Sequence, residues 1–194
     1  DRVIRNIRDQ RQATPAKPFF SYFSLGAMHA PHHVARDWVE PYRGRFDAGW
    51  EEVRRETFER QRALGVIPAT AQLAPRPSWI AEWDGLDAPA RRLFASMQET
   101  FAGFLTHADA QIGRVIEFLR ATGELDNTIV MVMSDNGASA EGGSMGTFNE
   151  HRFTVRMPET VERSLQYADD WGGPDTYSHY SWGWACGQLA VPPL

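Results

Sequence analysis

The stretch Asn127–Gly137, NTIVMVMSDNG, limits the fold of this chain more than any other. Thr128 through Met133 shows no polar/apolar alternation, the pattern of a strand covered on both faces in a parallel sheet flanked by helices. The run halts abruptly at Asp135, Asn136 and Gly137. In open α/β sheets the ligand site lies just past the carboxyl ends of the strands. Asp135 and Asn136 would stand there as two adjacent oxygen donors, with Gly137 turning the backbone away. Hard oxygen donors of this kind suit Ca²⁺ or Mg²⁺ better than a soft metal. Asp-Asn-Gly is also a common turn sequence, closed by Asx bonds to its own backbone, and on spacing alone the turn is the commoner explanation.

A second run points the same way. Phe19–Leu25, FFSYFSL, is an aromatic-rich strand candidate that starts after Pro18, stops at Gly26 and leads into Ala27-Met28-His29-Ala30-Pro31-His32-His33. Between the two runs lies a long helical pattern. Asp87 is its N-cap candidate, Pro89 falls in its first turn, and Gly123 is its stop. Leu93, Met97, Phe101, Phe104, Ala108, Ile112, Val115 and Leu119 recur at three- and four-residue intervals as one apolar stripe. Strand, excursion, long helix, strand is a β-α-β crossover, expected to be right-handed with parallel strands. The expected fold class is therefore α/β, with both chemically equipped strand ends on one rim of the sheet.

The remaining segments read more simply. Residues 1–13 place Val3, Ile4 and Ile7 on one face of an amphipathic helix ended at Thr14-Pro15. Trp50–Leu64 reads as a charged surface helix stopped by Gly65. The segment 66–89, with Trp79 and Trp83 among prolines, is an ordered loop, since flexible linkers lack such aromatics. Pro158–Asp170 is expected to form one more helix, and the Gly-, Tyr- and Trp-rich tail from Trp171 shows no clear period.

A net charge of −5 with no basic block leaves no footprint for nucleic acid or an anionic membrane surface. The longest aliphatic run, Ile129–Met133, is far short of the ~20 residues a membrane helix needs. A single cysteine, Cys186, excludes an internal disulfide framework. Nothing near Cys186 would lower its pKa, so it reads as a bystander. The histidines at 29, 32 and 33 lack the Cys or helical partners of the usual zinc patterns. One of them as a proton donor is the better functional reading, against a plain surface or turn role. Ser134, Ser139 and Ser144 have no nucleophile elbow, and His107 inside the long helix reads as a packing partner.

GAMHAPHH after an aromatic strand, the helix segment ETFAGFLTHADAQIGRVIEFLRATGELDNTIV, then SDNGASAEGG and GTFNE, form an ordered set. Together they resemble the arylsulfatases of the alkaline-phosphatase-like superfamily, over about residues 1–185. The resemblance implies a doubly wound, mostly parallel sheet flanked by helices, present here in part, with residues 1–194 forming the central part of a catalytic domain. It implies Ca²⁺ as cofactor, with Asp135 and Asn136 as two of its ligands. His32 looks like the histidine that contacts the sulfate and helps the ester oxygen leave. It also implies a formylglycine nucleophile, whose motif precedes the matching region and is not in this chain. Gln188 and Ala190 stand where that motif would need other residues, so Cys186 cannot replace it.

The sequence is thus expected to be a middle piece of a sulfatase acting on small-molecule or glycan sulfate esters. By itself it is expected to be inactive and to bind Ca²⁺ weakly. A phosphodiesterase or phosphonate hydrolase of the same superfamily, and a non-catalytic binding module, are the rival readings.

Overall fold

The computed structural model of the protein describes residues 1–134, 136–139 and 141–188. Along those residues the helices are α1 (Arg2–Ala13), α2 (Arg36–Val39), α3 (Gly49–Ala63), α4 (Ala88–Ala121), α5 (Glu150–Thr154), α6 (Val161–Leu165) and α7 (Trp182–Gln188). Short 3₁₀ turns lie at Glu40–Tyr42, Trp83–Gly85, Leu125–Asn127 and Ala168–Asp170. The expected helix over 158–170 divides into α6 and the last of these turns.

Helix α4 is the axis. Its 34 residues extend for about 50 Å at 1.5 Å per residue. Asp87 caps it as its sequence requires, Oδ1 accepting the Ala90 N–H at 2.8 Å. At the other end Gly123 adopts φ +72°, and the amides of Thr122 and Gly123 bond back to Phe118 and Arg120. The apolar stripe faces inward: Leu93, Phe94, Met97, Phe101, Phe104 and Ala108 are all buried. A fully buried Leu or Met side chain contributes about 2 kcal/mol, so this face anchors the molecule.

The first half of α4 packs into a tryptophan-rich core. Helix α7 lies on α3, where the Trp184 and Trp50 rings meet edge to face at 5.7 Å. Trp83 closes the group at 4.9 Å from Trp50, and Trp184 donates its indole N–H to the Phe94 carbonyl. Every polar atom these indoles bring inside therefore finds a partner: Trp50 bonds Ala81 and Trp83 bonds Asp47. The amphipathic α1 docks on the other half of α4 through buried Ile7, with Arg11 paired to Glu124 at 2.7 Å. Cys186 is buried and burial pushes its thiol up, consistent with a bystander. His107 packs edge-on against Trp38 at 5.2 Å.

The expected sheet is not built among the described residues. Residues 19–25 and 128–134 carry no strand pairing, and the β contacts are two isolated bridges, Thr147 with His179 and Asn149 with Tyr177. A strand exists only through its neighbours, and neither run finds one here. Their side chains stand in solvent accordingly, Phe20 and Ile129 each 87% exposed.

Candidate active site

Residues 27–34 are held against two elements, α4 and the segment 172–181. Backbone bonds fix the register: His32 N–H to Ser178 O at 3.2 Å and Val34 N–H to Gly172 O at 3.0 Å. His33 adds a side-chain bond from Nε2 to the Thr176 carbonyl. The result carries the His32 ring into a cage of Phe101, Phe104, His179 and Tyr180, with ring centres 4.9 to 5.9 Å away.

His32 is 0% exposed, and neither ring nitrogen has a hydrogen-bond partner among the described residues. Burial pushes its pKa down to about 3, helped by the neighbouring histidines 179, 29 and 33. The imidazole is therefore neutral near pH 7, offering one N–H and one lone pair. An unpaired buried polar atom costs about 1–3 kcal/mol, so native proteins rarely keep one without a use for it. The ring rests neutral because the cage excludes the water that would solvate a cation.

His179 donates through Nδ1 to the Tyr180 carbonyl at 3.1 Å, and burial lowers its pKa. His29 stands 3.7 Å from Glu141. Burial and the nearby Glu141 raise the Glu150 carboxyl. The loop that carries Glu141 is clamped onto the 178–181 segment by Gly142. A Cβ there would lie 2.0 Å from the Tyr180 carbonyl oxygen and 2.8 Å from His179 Nδ1, so only glycine allows this approach. The adjoining Thr147–His179 bridge is backed by Thr147 Oγ1 donating to Glu159, itself paired with Arg152 at 3.0 Å.

The other expected site residues lie elsewhere. Asp135 falls outside the described residues. Asn136 is exposed, its amide bonded to the Gly137 carbonyl at 2.8 Å, and Ser134 Oγ donates to the Asn136 carbonyl at 2.6 Å. These are turn bonds. No hydrogen bond joins Asn136 to His32 among the described residues.

No three His, Cys, Asp or Glu side chains converge on a cation position among the described residues. Ca²⁺ takes about six to eight oxygens, and Asn136 supplies one. The described residues do not by themselves complete a Ca²⁺ site, and Asp135 lies outside them. His179 and Tyr180, which form half the cage, had no signal in the sequence beyond the aromatic density of the tail.

The family model for Sulfatase matches residues 1–176. An uncharacterized sulfatase of Schizosaccharomyces pombe is 33% identical over 139 residues, covering 71% of this chain and 24% of that protein. An arylsulfatase of Klebsiella aerogenes is 31% identical over 140 residues, covering 72% of this chain and 30% of that protein. The matched part of the chain thus spans a quarter to a third of the length of these curated relatives.

Proposed function

The chain belongs to the sulfatase family, and from that premise we propose that the complete protein hydrolyses sulfate monoesters, aryl sulfates among them, with His32 at the sulfate. The observation that carries this reading is the buried imidazole with both nitrogens unpaired. A ring held by stacking alone keeps its N–H and lone pair for a ligand.

The chemistry assigned to this chain is limited to that ring. His32 donates its N–H to an oxygen of the ester. An anionic sulfate beside it favours the protonated form and so raises its pKa from the resting value. His32 takes up a proton from solvent as the anionic ester binds, and as the S–O bond to the leaving group breaks it gives that proton to the departing alkoxide or phenoxide oxygen. The formylglycine nucleophile belongs to a part of the protein outside this sequence.

Sulfatases as a family use a metal ion. Asp135 and Asn136 are proposed as two ligands of a Ca²⁺ whose other oxygens come from elsewhere in the protein. The runs 19–25 and 128–133 are likewise proposed as strands of a doubly wound, mostly parallel sheet in the complete catalytic domain. Their exposed apolar side chains support this.

Turnover by the complete protein of para-nitrophenyl sulfate against para-nitrophenyl phosphate tests the function. The reading requires the sulfate ester to be preferred. A preference for the phosphate ester would move the protein to the phosphohydrolase branch.

A further inference from the structure

A second cavity lies apart from the His32 cage, between the loop 79–87, the start of α4, the loop at 144–145 and the segments 159–162 and 182–183. Its volume is about 490 Å³, within the ~300–1,000 Å³ range of small-molecule sites. Buried Trp50 and Phe94 help line it, as do Trp79 and Trp182, which meet edge to face at 5.3 Å. Trp79 is 64% exposed. An indole left so open beside a second one offers a ready π-face to a ring or cation.

The charge on the lining is one-sided. Asp87, Glu159 and Glu162 contribute carboxylates, and no Lys, Arg or His lines the cavity among the described residues. Glu159 is neutralised by Arg152 and Asp87 is engaged as the cap of α4, which leaves Glu162 as the free charge on an exposed rim. A sulfate or phosphate group is repelled by the Glu162 carboxylate. An aromatic ring bearing ammonium or hydroxyl donors meets indole faces on its flanks and the Glu162 carboxylate at its donors.

We propose that this cleft binds an aryl group carrying cationic or hydroxyl donors and no anionic substituent. Phe94 in its lining and Phe101 in the His32 cage are seven residues apart on α4, about 10 Å or two turns. That the occupant is the sulfate-free end of an aryl ester substrate rests on the proposed function; the binding itself does not.

Ligand-observed NMR titrations of the 194-residue chain with tyramine and with benzenesulfonate test it directly. Tyramine is expected to bind about tenfold more tightly than benzenesulfonate. Trp79→Ala, at an exposed position, is expected to weaken tyramine by about tenfold, and Glu162→Gln by several-fold, with melting curves unchanged. Equal binding of the two probes, no binding of tyramine, or tyramine binding indifferent to Trp79→Ala overturns the proposal. Tyramine binding in a protein that lacks sulfatase turnover would leave the cleft standing and remove only its link to the ester. Turnover without tyramine binding would do the reverse.

Discussion

The imidazoles of His32 and His179 lie 4.9 Å apart, ring centre to ring centre, and burial holds both below the ordinary histidine pKa. Two neutral rings can share this space; two imidazolium ions cannot. The pairing makes the site sensitive to acid and sets the first prediction.

An unfolded histidine titrates near pH 6.5, whereas folded His32 titrates at about 3. Between these values the unfolded chain holds the extra proton, so stability rises with pH. The contribution is complete above about pH 6.5 and is lost as the pH falls toward about 3. It is on the order of a few kcal/mol for a group this buried. Urea midpoints measured from about pH 7 down to about pH 4 should fall steadily. His32→Gln, which cannot titrate, should flatten that slope; an unaltered slope would show that the acid sensitivity arises elsewhere.

Gly142→Ala is expected to destabilise the chain, because its Cβ would meet the Tyr180 carbonyl oxygen at 2.0 Å. Forcing the loop away costs about 1–3 kcal/mol and moves His179 with it. Thermal melting gives the first effect, and the shift of the His179 ring signals by NMR gives the second.

Trp184 is 0% exposed and joins α7 to both α3 and α4. Trp184→Ala should cost about 3–5 kcal/mol, read as a loss of cooperative unfolding. By contrast Asp87→Ala, which removes a single capping bond, should cost about 1 kcal/mol.

What could be read from the sequence divides by range. Helix α4 was legible almost to the residue, since Asp87, the stripe from Leu93 to Leu119 and Gly123 are all local signals. Helices α1 and α3 were equally plain. The runs 19–25 and 128–133 show strand propensity, but pairing depends on partners distant in sequence, and none stands beside them among the described residues. The His32 motif was visible as a motif. Its burial was not, because the cage is assembled from α4 and the aperiodic tail, where no period marks His179 or Tyr180 as neighbours. The cleft at Trp79 was hidden for the same reason: it joins the start of α4 to several segments distant in sequence with no shared pattern.

His32 is proposed as the ring that serves the ester. The most direct measurement is kcat for para-nitrophenyl sulfate in the complete protein carrying His32→Ala, with circular dichroism melting as the fold control. The expected result is a fall of about 10²–10⁴-fold with the folded state retained. Turnover within about twofold of the unsubstituted protein would contradict it, since a proton donor worth the usual factor cannot be removed without loss.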